Sequence, residues 1–415
     1  MDLPKPIRIA VATDLHYVAD QAGKISTQVC IQGSKIDPML LLIEQLKSPD
    51  TLLVPRAHVL ICPGDITTRA CVKSFNHGWS DLNNLKVALG AGHLIAATGN
   101  HEISSRTKED HATPGNAEIA IAPFEHLLTT SDYPAKFANP EQKWVYWGRG
   151  YESLYGEDWV VVTVNTCHYH NSLLPNEYER GRIGDAALAE LSSHLKSLSG
   201  KYSYKIIVLH HPPLDHEDLG VSLGRTPMYN GNLLLQEIEN TGEDWLVIHG
   251  HKHLFRLTKS SGTEYSPVVL GAASFGAMLT GDMANRTKNQ FYIIELSMTD
   301  EDGKARLRGE VDSLYWDGSA WSTCNEISHG LPHKCGFDQA NPARTSALAK
   351  KIKETIEASS PPVLTWSELR EKIEALRYLM PKEIDNLQKR LDVIGVARTP
   401  NQDTWFPQEL WVDHE

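Results

Sequence analysis

Two rhythms of apolar and polar positions alternate along the first third of this chain. β-Branched runs end in polar residues, and stretches with helical spacing follow them. Ile7 to Thr13 leads to Asp14, Ala57 to Cys62 leads to Gly64 and Asp65, and His93 to Thr98 leads to Gly99 and Asn100. Between these runs, Pro38 to Lys47 and Ser80 to Leu89 carry apolar residues at helical spacing. Strands alternating with helices in this way form parallel sheets, and open α/β sheets gather their sites beyond the carboxyl ends of the strands.

Farther along, strands are expected at Lys143 to Trp147, Trp159 to Asn165, Lys205 to Leu209, Trp245 to His249, Pro267 to Leu270 and Phe291 to Leu296, with a helix from Asp185 to Ser199. Arg306 to Tyr315 alternates and reads as an edge strand, whereas Trp321 to Arg344 is rich in turn residues and reads as irregular. Ser104 to Pro140 is polar and broken by Pro114, Gly115, Pro123 and Pro134, which suits a lid of loop and short helices. Thr345 to Ala358, Trp366 to Leu376 and Pro381 to Val393 have amphipathic helical patterns, the last opening on proline. The expected organisation is a catalytic domain over 1–322, an irregular linker over 323–344 and a small α-helical region over 345–415. That last region has the size of a helix-turn-helix or winged-helix unit, but its lysines and glutamates are mixed; packing or homo-oligomerisation through its helices is favoured over nucleic-acid binding.

Composition narrows the class. The chain has 415 residues, 41% apolar and 22% charged, without the roughly 18 consecutive apolar residues of a membrane span. No export signal is legible at the start, so a cytoplasmic location is expected. Cys30, Cys62, Cys71, Cys167, Cys324 and Cys335 form no CxxC pair, which argues against a disulfide framework or a cysteine zinc site. A net charge of −12 disfavours long duplex nucleic acid as a partner, although bound metal ions would reverse the field locally.

The polar residues at the run ends form five motifs: Asp14-Leu15-His16, Gly64-Asp65, Gly99-Asn100-His101-Glu102, His210-His211-Pro212-Pro213 and Gly250-His251-Lys252-His253. Asp14 and His16 are two residues apart, so on an extended strand exit their side chains leave on the same side. Gly64 permits a tight turn, and Asp65 has two oxygens with which to bridge two cations. Asn100 offers a neutral oxygen, His251 and His253 offer two imidazoles with Lys252 directed away, and His210 and His211 diverge so that one is a bystander. His249, on an apolar strand, reads as a core histidine. His168 and His170 follow a strand and are candidates for a pocket wall; Arg106 and Arg225 are candidates for holding phosphate oxygens.

Over residues 14 to 253 the chain resembles the calcineurin-like metallophosphoesterases, whose motifs are Asp-x-His, Gly-Asp, Gly-Asn-His-(Glu/Asp), a later histidine and Gly-His-x-His. The resemblance implies a two-sheet α/β sandwich flanked by helices and two divalent or transition-metal ions per chain. Asp14, His16 and His253 would hold one ion, Asn100, His210 and His251 the other, and Asp65 would bridge them. Oxygen and nitrogen ligands without thiolate fit manganese, iron, zinc or nickel. A water activated between the ions would attack phosphorus in line, and His101, not counted as a ligand, would protonate the leaving oxygen. His16 argues against the purple acid phosphatase branch. The favoured substrate is a small phosphodiester, a nucleotide or cyclic nucleotide, with substrate contacts expected from Arg106, His168 and His211. A nuclease acting on DNA or RNA and a phosphomonoesterase are the alternatives within enzymology. A non-catalytic binding module is opposed by the completeness of all five motifs.

Overall fold

Period-two alternation in the first strand decides the architecture. β1 (Ile7–Val11) turns Ile7, Ile9 and Val11 toward one core and Ala10 toward another. The structure, a computed structural model, describes residues 3–19, 21, 23–30, 36–48, 56–103, 124–170, 177–215, 227–340 and 345–412. After β1 come β2 (Val59–Cys62), β3 (His93–Ala96), β4 (Tyr151–Tyr155), β5 (Trp159–Val164), β6 (Tyr204–Val208) and β7 (Leu246–His249). They are followed by β8 (Arg256–Lys259), β9 (Val268–Gly271), β10 (Gln290–Glu301), β11 (Lys304–Trp316), β12 (Trp321–Thr323) and β13 (Cys335–Asp338).

One sheet runs β12-β11-β10-β1-β2-β3 with β13 added to β11, and the other runs β4-β5-β6-β7-β9-β8. Ile9, Val59, Ile61 and Ile95 of the first share a buried core with Val161, Ile206, Val208, Ile248 and Leu270 of the second. The outer faces are covered by helices. Leu60 and Leu94 pack with Met39 and Leu42 of the Pro38–Lys47 helix and with Phe75 and Leu82 of the Val72–Ala88 helix. Val160, Val162 and Ile207 pack with Leu188 and Leu191 of the Asp185–Ser197 helix and with Leu234 and Ile238 of the Gly231–Glu239 helix. Each fully buried branched side chain contributes roughly 1.5–3 kcal/mol. The result is the expected two-sheet α/β sandwich flanked by helices. The two sheets are also tied by charge: Arg306 on β11 grips Asp244, just before β7, with Nε···Oδ2 of 2.9 Å and Nη2···Oδ1 of 3.1 Å, both residues being buried.

Three elements differ from their sequence patterns. Lys143 to Trp147 lies in a helix, Glu141–Arg149, not a strand: Trp144 and Val145 are exposed while Tyr146 and Trp147 are buried, a helical pattern of exposure. Asn139 Oδ1 accepts from Glu141 N–H, and Gly150 ends the helix at φ 84°. β11 is not an edge strand, because β12 and β13 pair on the side away from β10. The stretch 321–344 is only partly irregular, since it supplies those two strands.

The C-terminal helices Thr345–Glu357, Trp366–Lys372 and Pro381–Val393 are joined by a 3-10 turn, Glu374–Tyr378, and by strands β14 (Val363–Thr365), β15 (Val396–Arg398) and β16 (Glu409–Val412). Thr365 and Glu368 form a capping box at the start of the second helix. The sheet order β14-β16-β15 completes a winged-helix arrangement. Arg370 to Glu310 and Arg308 to Glu374, each at 2.9 Å, fasten it to the sandwich, as does Gly336 N–H donating to Leu379 O at 2.9 Å. No helix among the described residues is long and apolar enough to cross a membrane, and the five described cysteines are free thiols.

Burial pushes His126, His249 and His333 down from 6.5 to about 4. The unfolded chain therefore binds protons that the folded one refuses between those values, and stability is lost as pH falls through that window. The contribution of these three rings to the urea midpoint is expected to be constant from pH 7 to 8 and to fall from about pH 6.5 downward. His126→Phe should make that fall shallower; an unchanged slope would contradict it.

Candidate metal centre

All five motifs arrive at the carboxyl edge of the strands. Asp14 lies just past β1, Asp65 past β2, Asn100 past β3, His210 past β6, and His251 and His253 past β7. Asp14 (φ 52°), His16 (φ 54°), Asp65 (φ 54°), His251 (φ 73°) and His253 (φ 56°) all adopt left-handed backbone, a conformation that costs roughly 1–2 kcal/mol per L-residue. The extended exit expected for Asp14 and His16 is therefore absent. Backbone bonds hold the bent course instead: Asp14 N–H donates to Gly64 O at 2.9 Å and His16 N–H to Asp65 O at 3.1 Å. Gly64 is required between them, at φ 119°, because a Cβ there would lie 2.7 Å from Gly99 N and 2.8 Å from His210 Nδ1.

Asp14, His16, Asp65 and His253 bring one ligand atom each within 4.8 Å of one another, and His210, His211 and His251 form a neighbouring group. Asp65 Oδ2 lies between the groups, 3.9 Å from His16 Nε2 and 3.3 Å from His210 Nε2. Asn100 Oδ1 is 3.0 Å from His210 Nε2 and 3.2 Å from His251 Nδ1. Asp14 Oδ1 is 3.4 Å from His253 Nε2 and also accepts from His251 N–H at 3.1 Å.

The protonation pattern shows what this donor set fits. His210 Nδ1 faces Pro63 O at 3.0 Å and His251 Nε2 faces Glu179 O at 2.8 Å, contacts that place the proton of a neutral ring there. The other nitrogens, His210 Nε2 and His251 Nδ1, then aim lone pairs at each other across 3.2 Å and at Asn100 Oδ1. His16 Nε2 and His253 Nε2 converge likewise at 3.2 Å. Lone pairs and carboxylates gathered without protons call for a cation, so these residues fit a divalent metal centre. Without a cation, a proton takes the place at His210: burial works against protonation, but the Asp65 carboxylate outweighs it and raises this ring to about 9. Asp65 is held well below its usual range despite burial, chiefly by His210 and His101. Burial and then His253 lower His16 to about 4.

His101 stands at the edge of the cluster. Its N–H donates to Asp65 Oδ1 at 2.9 Å, and its half-buried ring meets that of His16 edge-on, centroids 5.0 Å apart. His211 is buried behind His210, with Nδ1 2.8 Å from Thr166 Oγ1, and its ring centroid is 4.4 Å from that of His251. His168 is half-buried against Tyr169, and His170 is buried beside His211. Arg106, Arg225 and most of the expected lid lie outside the described residues. His249 is a core histidine, its ring facing Gly250 O at 3.0 Å.

Glu102 has a larger part than its place in a motif suggested. Fully buried, it accepts backbone N–H groups from Asp65 (2.9 Å), Ile66 (2.5 Å), Thr67 (3.2 Å) and Gly99 (2.7 Å). Burial and the charge of Asp65 push it up to about 8, against the pull of His210 and of the Thr67 and Asp65 N–H groups. One carboxylate thus folds the turn that carries Asp65 onto the turn that carries Asn100. Ser274 is a second residue without a sequence signal: its hydroxyl donates to Asp14 O at 2.7 Å.

Two family models agree with this picture. A family model described as calcineurin-like phosphoesterase matches residues 7–255, and one described as wHTH-Calcineurin_assc matches residues 344–392. Among curated proteins none matches. Among solved structures, the chain is similar to GAP50, the anchor in the inner membrane complex of Plasmodium, at 12% identity and a TM-score of 0.35, over 72% of this chain and 87% of that one. It is also similar to the cold-active protein-tyrosine phosphatase of a psychrophile, Shewanella sp., at 13% identity and a TM-score of 0.28, over 76% of this chain and 79% of that one.

Proposed function

The chain belongs to the calcineurin-like phosphoesterase family, a metal-dependent phosphoester hydrolase family by its buried Asp–His cluster, and from that premise we propose that it is a phosphodiesterase acting on a nucleotide or cyclic nucleotide. The observation that carries the reading is the position of Asp65 between two groups of ligands with the His101 ring at their rim. Asp14, His16 and His253 would hold one metal ion, Asn100, His210 and His251 a second, and Asp65 would touch both. Bound there, divalent ions supply Lewis acidity that makes a water nucleophilic and offsets charge on the phosphoryl oxygens. Manganese, iron, zinc and nickel suit such ligands.

His101 and Asp65 divide the remaining work. The leaving oxygen of a diester is a strongly basic alkoxide that needs a proton, and a ring at the cluster's rim is placed to deliver one. Asp65 orients that residue through the His101 N–H. The net charge of −12 favours a small ester over a polynucleotide.

His101→Ala is expected to lower kcat roughly a hundredfold to ten-thousandfold on an alkyl ester, less on a p-nitrophenyl ester, with metal content unchanged. Equal losses on both leaving groups would remove the acid role. The reading as a whole is tested by metal analysis and by turnover of bis-p-nitrophenyl phosphate against p-nitrophenyl phosphate. Preference for the monoester would overturn the diesterase assignment, and absence of metal and of turnover would overturn hydrolysis.

A further inference from the structure

A cleft of about 750 Å³ lies between the sandwich and the winged-helix unit. Its lining starts at Leu254, directly after His253, so chain length alone keeps the Arg256 backbone within roughly 11 Å of that of His253. Arg256 pairs with Gly271 at the carboxyl end of β9, which places the cleft at the same end of the sandwich as the Asp–His cluster. One part of the wall is apolar. Phe255 meets Trp405 nearly perpendicularly, centroids 6.3 Å apart, and Trp405 Nε1 donates to Gly330 O at 2.9 Å, which fixes the indole. Ile327, 41% exposed, adjoins them. The rest of the wall carries Arg256, Arg286 and Lys382.

In a chain of net charge −12, three cations line the cleft against the carboxylate of Asp403, with that of Asp282 paired to Arg286, which leaves a locally positive wall beside aromatic rings. Arg256 and Arg286 have protein contacts of their own, to Asp215 O and Asp282, which hold the guanidinium groups in place. Neither unit makes the cleft alone: Phe255 and both arginines come from the sandwich, Lys382 and Trp405 from the winged helix. Volume, an apolar wall and a few convergent charges are the attributes of a small-molecule site.

We propose that this cleft is the subsite for the non-reacting part of the substrate, and that its ligand class is a nucleoside phosphate. The base would lie against Phe255 and Trp405 and the phosphate against Arg256, Arg286 and Lys382. The inference rests on the phosphodiesterase reading, and it makes the winged helix a specificity element of the catalytic unit.

The test uses the full-length, metal-loaded protein, with ADP titrated calorimetrically and two esters, thymidine 5′-p-nitrophenyl phosphate and bis-p-nitrophenyl phosphate, compared kinetically. The double variant Arg256→Ala with Lys382→Ala is expected to weaken ADP about tenfold or more, the loss of two charge-assisted contacts. Trp405→Ala should raise KM for the nucleotidic ester, and lower its kcat/KM relative to the simple ester about tenfold, while Trp405→Phe restores most of both. Thermal melts equal to wild type certify the fold; if Trp405→Ala fails to fold, the double variant decides. Unchanged ADP affinity, no saturable ADP binding to wild type, or equal losses on both esters would overturn the subsite. Wild-type protein inactive on both esters would instead overturn the phosphodiesterase reading, and the ADP titration alone would then decide the cleft.

Discussion

Asp65→Asn is expected to lower turnover of bis-p-nitrophenyl phosphate on the order of a thousandfold, about 4 kcal/mol of transition-state stabilisation. Asp65 is the carboxylate that faces both groups of ligand atoms, at 3.9 Å from His16 and 3.3 Å from His210. The amide keeps the shape and one acceptor, so His101 N–H retains its partner, but the negative charge that would offset bound cations is gone. Metal content should fall in the same protein. Retention of more than about a tenth of wild-type turnover at full metal content would show that Asp65 is not shared between ions.

Glu102→Ala is expected to cost at least about 3 kcal/mol of stability, read from the urea midpoint, because it strands four buried backbone N–H groups that each cost roughly 1–3 kcal/mol when unsatisfied. Glu102→Gln should fall between, since its amide turns an NH₂ toward donors that want an acceptor. Activity should drop with both, through displacement of Asp65 and Asn100 rather than loss of a reacting group. A Glu102→Ala protein within about 1 kcal/mol of wild type would mean that water replaces the carboxylate at no net cost.

How much of this was legible before the fold? The gathering of the five motifs was, because each follows an apolar run, and the parallel strands of each sheet bring their carboxyl ends to one edge. The backbone course was not. That Asp14 and His16 converge by left-handed turns depends on hydrogen bonds to Gly64 and Asp65, fifty residues away. Lys143 to Trp147 looks like a strand because valine and aromatics crowd it, yet the decisive signals were Glu141 at its start and Gly150 at its end. β12 and β13 are three and four residues long and exist only by pairing with β11, so turn-rich composition concealed them. The wing of the C-terminal unit was hidden for the same reason, its strands being three or four residues each. The role of Glu102 required knowing that the amides of 65 to 67 turn toward it.

The left-handed conformation of five residues of the Asp–His cluster has a consequence for which substitutions this site can survive. Aspartate and histidine, with asparagine, are the side-chain-bearing residues most often found in that region, and glycine enters it freely. At Asp14, His16, Asp65, His251 and His253 the backbone conformation and the chemistry of metal ligation therefore select from nearly the same alphabet. A mutational scan of metal-free protein should show glycine at His16 or His253 to be as stable as wild type or more so, while valine or isoleucine at either position is poorly tolerated even where no catalysis is asked of the protein. Such residues resist replacement on two independent grounds, and the tension released by glycine measures how far the polypeptide is bent to bring these side chains together.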